Sequence, residues 1–439
     1  MSERFMQFNY KGHKVQLRIE PYSMGSLVVD ASRLAYLNHT AALMVKAFLS
    51  GGDWRDALRE LRAHYRGGLR KRDIREHFKE IVDKVSKFIE GYGDPVTDLG
   101  FRYQFPDVSL LSAPLRVDLA LTYDCNNICL HCYSDSPAEV RELTTDEWKE
   151  VLRILRDLGV PQVTFTGGEP TLREDLVELV EEAQRLGIVS GVVTNGTLLS
   201  EELSERLVRA GLDYIQITLE ASDPEVHERI TGVRGSWERT VEGIRNILRT
   251  GVYVSVNSTL LRENSSRIAD TLRFVAGLGV HGYSLNRLIY SGRAKLAEDL
   301  EPDFDEMRRV VSEAKELCLQ LGLDFTWYGV TRYCEIDPIE LGLGPKFCSA
   351  CSIAIAVEPD GSVIPCQSHY LRLGNILRDD WERIWYSEGC RRIREAAYVG
   401  DACLSCPVLG ACRGGCPLES EVRPYPPNPP EVEPHELRS

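Results

Sequence analysis

The sequence lacks the long apolar segments that place a chain in or across a membrane. No stretch approaches the roughly eighteen consecutive apolar residues of a spanning helix, and residues 1–12 contain no secretory apolar core. We therefore expect a cytoplasmic protein without a membrane partner. Positive charge is also scarce, because 52 Lys and Arg side chains stand against 66 Asp and Glu, a formal net charge of −14. A protein that binds nucleic acid phosphates would carry an excess of positive charge. The excess of negative charge here argues against a nucleic acid partner.

The N-terminal part of the chain lacks cysteine, since none precedes Cys125. Of the 13 cysteines, three fall between Cys125 and Cys132, and the other ten lie from Cys318 onward. An odd count in a large chain without a secretory segment argues against a disulfide framework. Two clusters of soft thiolate ligands predict at least two metal centres.

The first 113 residues have the pattern of a small separate domain. The predicted elements are a β-hairpin at 15–19 and 26–29 and helices at 38–48, 54–65 and 71–90. A hairpin with three helices predicts a winged-helix-like domain over residues 1–93, followed by a linker over 94–113. This fold by itself does not decide a function.

Strand and helix patterns alternate between residues 114 and 330. Predicted strands lie at 115–121, 162–166, 190–194, 213–219, 252–260 and 282–289, and predicted helices at 144–158, 172–186, 200–210, 237–249 and 267–278. Thr144 and Glu147 fit a capping box at the start of the first of these helices. Six βα units predict an α/β fold with a parallel sheet, rolled into a partial (β/α)6 TIM-like barrel.

Regular periodicity weakens after residue 330, where Gly, Pro and Cys become frequent. This composition is typical of a domain that is organised by metal ligands, which we expect over residues 331–423. The Pro-rich segment 424–439 is expected to be an extended tail.

Cys125, Cys129 and Cys132 follow the first predicted barrel strand with C-x3-C-x2-C spacing. One tight loop of this kind can present three thiolates to three corners of a [4Fe–4S] cube, which leaves the fourth iron without a local ligand. A zinc knuckle is the alternative, although zinc usually takes four ligands with different paired spacings.

The motif Gly167-Gly168-Glu169-Pro170 follows the second predicted strand. Its two glycines would let the backbone approach a ligand closely, and Glu169 offers an acceptor for an ammonium group. An ordinary βα turn in which Pro170 begins a helix is the alternative.

Together the two motifs resemble the radical S-adenosylmethionine (SAM) superfamily over the six βα units. In that family SAM chelates the open iron of a [4Fe–4S] cluster, and its reductive cleavage yields a radical that abstracts hydrogen from the substrate. The resemblance implies SAM, this cluster, and a reductant such as ferredoxin or flavodoxin.

The resemblance also implies SAM contacts along the carboxyl ends of the strands. The residues at these positions are His131, Gly167, Gly168, Glu169, Pro170, Asn195, Thr218 and Glu220. The family usually has an aromatic residue where this chain has His131, for which a solvent-facing loop histidine is the alternative. The family often has Ser and Asp where this chain has Thr218 and Glu220.

The later cysteines resemble the SPASM extension of radical SAM enzymes, which carries auxiliary iron–sulfur clusters. The matching pattern is Cys351-x9-Gly361-x4-Cys366 followed by Cys403-x2-Cys406-x5-Cys412-x3-Cys416, with Cys348 completing a C-x2-C pair. The resemblance assigns Cys348, Cys351, Cys366 and Cys416 to one auxiliary cluster and Cys403, Cys406 and Cys412 to another. A zinc ribbon or a redox dithiol is the alternative.

The second auxiliary group has three cysteines, and no cysteine follows Cys416. We expect its fourth position to be open or held by a non-thiolate donor, because the Pro-rich tail is poorly suited to fix a ligand. The possible donors are Glu419, Glu421, Glu431, Glu433 and His435, with Cys334 or Cys390 as thiolate alternatives. Cys318 is expected to be a core residue.

Residues 13–93 resemble the peptide-recognition domain of ribosomal peptide maturases, a PqqD-like fold. The resemblance rests on the order of hairpin, helix, Gly51-Gly52 and a second helix that ends at Tyr65. An exposed hairpin edge could then accept a leader peptide as an added strand. The alternatives are a structural cap and a DNA binder that uses Lys71, Arg72 and Arg75.

The expected function is that of a radical SAM/SPASM oxidoreductase-type enzyme that modifies a ribosomally made peptide or protein. Thioether formation, carbon–carbon cross-linking and oxidative decarboxylation all fit. The alternative enzyme modifies a tetrapyrrole or another cofactor precursor. The alternative without catalysis is an iron–sulfur winged-helix regulator or scaffold, which would not need the Gly-Gly-Glu-Pro motif.

Overall fold

The structure is a computed structural model, and it describes residues 5–20, 24–30, 33–92, 99, 111–134 and 136–425. These residues divide into two compact units. The described residues up to 113, together with 154–162, form the N-terminal unit, and the other residues from 114 onward form the second unit. Most of the expected linker over 94–113 and most of the expected tail over 424–439 lie outside the described residues.

The N-terminal unit combines an antiparallel sheet with three helices. Its strands are β1 (Phe5–Tyr10), β2 (His13–Ile19), β3 (Met24–Val29) and β4 (Arg33–Asn38), and its helices are α1 (His39–Leu49), α2 (Trp54–His64) and α3 (Lys71–Glu90). Asn38 caps α1 by accepting a hydrogen bond from the Ala41 amide at 2.8 Å, as expected of a helix-capping asparagine. Alternate residues of β2 and β3, among them Val15 and Leu27, pack with Ile89 of α3 in one apolar core.

The predicted hairpin is present, but it lies inside a larger sheet. The strands are ordered β1–β2–β3–β4, so that β2 and β3 are paired on both sides. The segments Phe5–Tyr10 and Arg33–Asn38, which were not predicted as strands, pair along the two outer edges of the hairpin. The expected free hairpin edge is therefore wrong, and the edges of this sheet belong to β1 and β4.

From residue 114 onward, strands and helices alternate along the chain. They are β5 (Arg116–Thr122), α4 (Thr145–Asp157), β6 (Gln162–Gly167), α5 (Leu176–Arg185), β7 (Val189–Thr194), α6 (Glu201–Arg209), β8 (Tyr214–Thr218), α7 (Pro224–Thr231), α8 (Ser236–Leu248), β9 (Tyr253–Thr259), α9 (Ile268–Leu278), β10 (Gly282–Asn286), α10 (Phe304–Leu321) and β11 (Asp324–Trp327). The predicted capping box forms, because Thr144 and Glu147 exchange hydrogen bonds of 3.3 and 2.9 Å. Among the described residues, no helix has the length and apolarity needed to cross a membrane.

The cysteine-rich part of the chain continues with short elements. They are β12 (Ala354–Val357), β13 (Ser362–Ile364), β14 (Gly374–Asn375), α11 (Trp381–Trp385), α12 (Glu388–Arg394), α13 (Asp401–Leu404), α14 (Leu409–Cys412) and α15 (Pro417–Ser420). Cys318 is fully buried on α10, as expected of a core residue.

One sheet in the order β11–β10–β9–β8–β7–β6–β5–β12–β13–β14 runs through the second unit. Strands β7 to β11 pair parallel with their neighbours in chain order, and β12 adds parallel to β5. This topology confirms the predicted α/β fold. Strands β11 and β12 and helix α7 were missed, because short segments carry too few residues to show a period.

A buried ion-pair network connects the segment after the last cysteine with the end of β10. Arg287 is 5% exposed and donates to the Glu301 carboxylate at 2.7 Å and to the Glu419 carboxylate at 2.6 and 2.8 Å. Arg423 lies 2.9 Å from Glu301. Burial opposes the charge of Arg287, but the two carboxylates together hold its pKa above the usual value.

Replacing Arg287 by Met should destabilise the protein by about 3–5 kcal/mol, because two buried carboxylates would each lose a cationic partner. The measurement is the change in unfolding free energy from urea titrations of anaerobic protein. Arg309→Met is the control: Arg309 pairs with Glu313 on the exposed face of α10, and its loss should cost under about 1 kcal/mol. Similar losses for both variants would contradict the role of the buried network.

Candidate functional site

The three cysteines of the first motif lie on the loop that leaves the carboxyl end of β5. Burial raises the pKa of Cys125 to about 11, and the Cys132 thiol adds to the rise. Burial also raises the pKa of Cys129 well above its usual value, with further contributions from Glu220, Cys125 and Cys132. The three thiols are thus close neighbours, and a positively charged metal centre would stabilise their thiolate forms.

Two later parts of the chain hold this loop in place. The Ile128 amide donates to the carbonyl of Thr231, the last residue of α7, at 2.9 Å. Arg293 donates from its guanidinium to the Cys129 carbonyl at 2.7 Å and from its amide to the Cys132 carbonyl at 2.9 Å. Neither α7 nor Arg293 was identified from the sequence, because neither forms part of a cysteine or glycine motif.

The two glycines of the second motif allow the ends of β5 and β6 to meet. A Cβ at Gly167, where φ is +136°, would lie 2.1 Å from the Thr122 carbonyl oxygen, and one at Gly168 would lie 2.2 Å from that of Asp124. The Gly168 and Glu169 amides donate to the same two carbonyls at 2.8 Å. The two glycines therefore allow a close approach to the main chain that leads into the cysteine loop, and their approach to a ligand stays a prediction.

Glu169 joins the ends of β6 and β7. Its side chain is fully buried and accepts hydrogen bonds from the amide and hydroxyl of Thr171, from the Thr194 hydroxyl at 2.6 Å and from the Asn195 amide at 2.7 Å. Burial raises the pKa of Glu169, and these donors oppose the rise. Glu169 also caps the short 3-10 turn Pro170–Leu172. The Glu169 carboxylate, which was expected to accept an ammonium group, therefore already accepts the hydrogen bonds that connect the ends of β6 and β7.

Asn195 reaches across to the cysteine loop. Its side-chain amide donates to the Asn126 side-chain oxygen at 2.6 Å, and its own oxygen accepts from the Thr197 amide at 2.9 Å. Thr218 is the last residue of β8, where it is half-buried opposite Asn257. The structure therefore brings Asn195 to the first cysteine motif and leaves Thr218 at the adjoining strand end.

Glu220 is fully buried and faces His131. Its carboxylate lies 3.1 Å from His131 Nε2 and accepts from the Thr259 amide at 2.8 Å. The Glu220 amide donates to His227 Nδ1 at 3.1 Å, and burial lowers the pKa of His227 to about 4. The alternative of a solvent-facing His131 is wrong, since 13% of its side chain is exposed.

Thiols of the first expected auxiliary group also lie close together. Burial raises the pKa of Cys366 to about 12 and that of Cys348 well above its usual value, and Cys416 raises both further. Cys351 is buried against α12, where its Sγ lies 2.6 Å from Cys390 Sγ. The sequence predicted no motif role for Cys390, because it is 39 residues from Cys351 in the chain.

Four thiols line one cavity at the second expected auxiliary group. The cavity has about 320 Å³ of empty space, part of it open to solvent. Its lining residues are Arg332, Cys334, Cys403, Cys406, Val408, Leu409, Cys412 and Gly414. Cys334, which the sequence analysis gave as a thiolate alternative for the fourth position of this group, is one of the four thiols.

The expected oxygen and nitrogen donors do not reach this cavity where the structure describes them. Glu419 is bound to Arg287, and Glu421 lies 3.4 Å from Lys295 on the surface. The other candidates, Glu431, Glu433 and His435, lie outside the described residues.

The donor chemistry fits iron–sulfur clusters. Among the described residues, no three His, Cys, Asp or Glu side chains converge as ligands of a single metal ion. The thiols are instead gathered in groups, and thiolate is the ligand that holds iron–sulfur clusters in proteins.

A three-cysteine loop beside a glycine-rich loop, at the carboxyl ends of a parallel sheet, defines a class of enzymes that combine an iron–sulfur cluster with SAM. The family model described as the radical SAM superfamily matches residues 119–275, and SPASM, an iron–sulfur cluster-binding domain, matches residues 348–407. The chain belongs to the radical SAM superfamily and to its SPASM-containing group. The family's cofactors are SAM, a [4Fe–4S] cluster at the SAM site and auxiliary iron–sulfur clusters.

Curated relatives include two proteins named PqqA peptide cyclase. The one from Bradyrhizobium diazoefficiens is 32% identical over 320 residues, which cover 69% of this chain and 81% of that protein. The one from Xanthomonas axonopodis pv. citri is 29% identical over 321 residues, which cover 70% and 84%.

Solved structures share the fold. SuiB of Streptococcus suis bound to precursor peptide SuiA matches with a TM-score of 0.71 at 18% identity and covers 98% of this chain and 100% of that one. anSMEcpe with bound AdoMet and Cp18Cys peptide matches with a TM-score of 0.54 at 18% identity and covers 69% and 89%. The match to SuiB is long enough to include the N-terminal unit.

Replacing Gly168 by Ala should displace the cysteine loop, because the new Cβ would meet the backbone of Asp124 at 2.2 Å. We expect less iron at the SAM site and at least a tenfold slower cleavage of SAM to 5′-deoxyadenosine, equivalent to about 1.4 kcal/mol. Iron analysis and chromatography of the product measure both effects. Gly277→Ala on α9 is the matched control, since a Cβ there meets nothing within 4 Å. Wild-type iron content and wild-type SAM cleavage in Gly168→Ala would show that the close approach of Gly168 to Asp124 is not required.

Proposed function

We propose that this chain forms a cross-link within a ribosomally made precursor peptide by radical chemistry. The observation that carries the proposal is the 32% identity with a PqqA peptide cyclase, over 81% of that protein's length. Cyclisation of a peptide requires a new bond between two of its own residues. This favours ring-closing cross-links over oxidative decarboxylation among the expected outcomes.

We assign the following roles to residues of the second unit. Cys125, Cys129 and Cys132 hold the cluster at the SAM site, and the SAM contacts are the eight strand-end residues named in the sequence analysis. Bound SAM with its cluster supplies hydrogen-atom abstraction. The protein would position the reactive groups and exclude water, and the auxiliary clusters held by the later cysteines would supply electron transfer.

The reaction also needs an electron source and a reducing compartment. A low-potential reductant such as ferredoxin or flavodoxin would reduce the cluster at the SAM site. Because thiols stay reduced in the cytoplasm, we propose that the reaction takes place there.

The leader of the precursor peptide would bind to the N-terminal sheet as an additional strand. A free strand edge offers unpaired amides and carbonyls, and apolar side chains beside it provide specificity. We favour the β4 edge, because Leu34 on β4 is 42% exposed whereas Gln7 on β1 is a polar exposed residue. The structure of SuiB with its precursor peptide, whose fold match includes this unit, supports a peptide-binding role.

The direct test uses the full chain, reconstituted anaerobically and supplied with SAM, dithionite and a candidate precursor peptide from a neighbouring gene. We expect the peptide to lose the mass of two hydrogen atoms and to yield a cross-linked fragment in tandem mass spectrometry. The control is the Cys125→Ala, Cys129→Ala and Cys132→Ala triple variant, which should keep auxiliary iron and form no product. Turnover by that variant, or conversion of a cofactor precursor but of no peptide, would overturn the proposal.

Leu34→Asp should weaken leader binding at least fivefold, about 1 kcal/mol, because it places a charge beside the proposed strand. Fluorescence anisotropy with a labelled leader measures the affinity, and SAM cleavage without peptide should be unchanged. Gln7→Asp introduces the same charge on β1 and should leave the affinity unaltered. A loss of leader affinity in Gln7→Asp alone would place the binding site on β1. Equal affinities of the two variants for the leader would exclude the β4 edge.

A further inference from the structure

We propose that Cys334 is the fourth thiolate of the auxiliary cluster held by Cys403, Cys406 and Cys412. The ligand would come from upstream, from the segment between β11 and β12, in a chain with no cysteine after Cys416. The inference does not depend on the identity of the substrate, because it concerns only the coordination of one cluster.

The cavity already brings the four thiols together. Among the described residues that line it, Cys334, Cys403, Cys406 and Cys412 are those with a side chain that commonly binds metals. The amide of Tyr333, next to Cys334, donates to Cys412 Sγ at 3.4 Å. This bond fixes the backbone next to Cys334 against Cys412, the last of the four cysteines in the chain. Amide-to-sulfur hydrogen bonds of this kind also stabilise the thiolates of iron–sulfur clusters.

The charge around the cavity fits a cluster with four thiolates. Arg332 lines the cavity and is 2% exposed. Its terminal nitrogens donate to the carbonyls of Arg423 at 2.7 Å and Pro424 at 3.2 Å, and one of them also donates to the Glu335 carboxylate at 3.3 Å. Its buried Nε has no hydrogen-bond partner within the part of the chain that the structure describes. A cube with four thiolate ligands is anionic, and the guanidinium would offset that charge in a site of low dielectric constant.

The other candidate ligands that the structure describes are engaged elsewhere. Cys390 lies against Cys351, Glu419 is bound to Arg287, and Glu421 lies beside Lys295. The proposal therefore takes the thiolate alternative in place of an open or non-thiolate position. Binding to iron would deprotonate the Cys334 thiol and release one proton to solvent. The cluster would then have no free iron for substrate, and its role would be electron transfer.

The first test measures protection of Cys334 in the wild-type full chain, without SAM or peptide. Cys334 is exposed, so a free thiol there should react with iodoacetamide. Peptide mass spectrometry should show Cys334 unlabelled in the anaerobically reconstituted protein and labelled after the iron has been removed with a chelator. Labelling of Cys334 to the same extent in both forms would overturn the proposal.

The second test compares Cys334→Ser with Cys318→Ser, which changes a buried cysteine of α10 outside the thiol groups. Cys334→Ser should shift the reduction potential of one cluster or abolish its electron paramagnetic resonance signal, because an oxygen ligand or an open iron would replace a thiolate. Cys318→Ser should leave all signals as in the wild type. Identical potentials and signals in Cys334→Ser and the wild type would contradict the assignment. Neither measurement uses a peptide. A negative result for the Cys334 assignment can therefore be distinguished from a negative result for the proposed peptide cross-linking.

Discussion

The buried carboxylate of Glu169 is the group on which the arrangement of the SAM site depends. A carboxylate without solvent is costly unless its oxygens accept hydrogen bonds, and charge-assisted bonds contribute about 1.5–3 kcal/mol each. Its donors come from its own turn and from Thr194 and Asn195 at the end of β7. Satisfying this one group therefore fixes the relative positions of two strand ends.

The cysteine loop is positioned by the same set of contacts. The Glu169 amide is bonded to the Asp124 carbonyl, and Asn195 is bonded to Asn126 between the first two cysteines. Glycine at position 168 allows the first of these contacts, since any side chain would collide with Asp124. The two sequence motifs are thus parts of one hydrogen-bonded structure, in which a displacement of either loop would move the other.

The cysteine-rich region combines buried apolar side chains, among them Val357 and Trp385, with buried charge and sulfur. Arg287 holds Glu419, three residues after Cys416, and thereby anchors the last cysteine segment to the end of β10. Burial raises the pKa of Cys348, Cys366 and Cys416, which favours neutral thiols in the absence of metal. Cluster binding would release these protons, so the assembly of the clusters and the stability of this region are coupled.

Features that depend on short spacings could be predicted from the amino-acid sequence. The capping box at Thr144, the C-x3-C-x2-C loop and the Gly-Gly-Glu-Pro motif each lie within one element or turn. The alternation of strands and helices predicted the α/β fold, and the resemblance of the two motifs to a known family predicted the family. The assignment of individual SAM contacts stays a prediction.

Contacts between groups that are distant in the chain became apparent from the folded structure. Cys334 shares a cavity with Cys403, Cys390 lies against Cys351, and Glu419 pairs with Arg287, 132 positions away in the chain. The outer strands β1 and β4 likewise depend on an existing hairpin for their hydrogen bonds. A short sequence pattern does not predict such contacts. They depend on the path of the backbone through the whole sheet and on the pairing of each buried charge with an opposite charge.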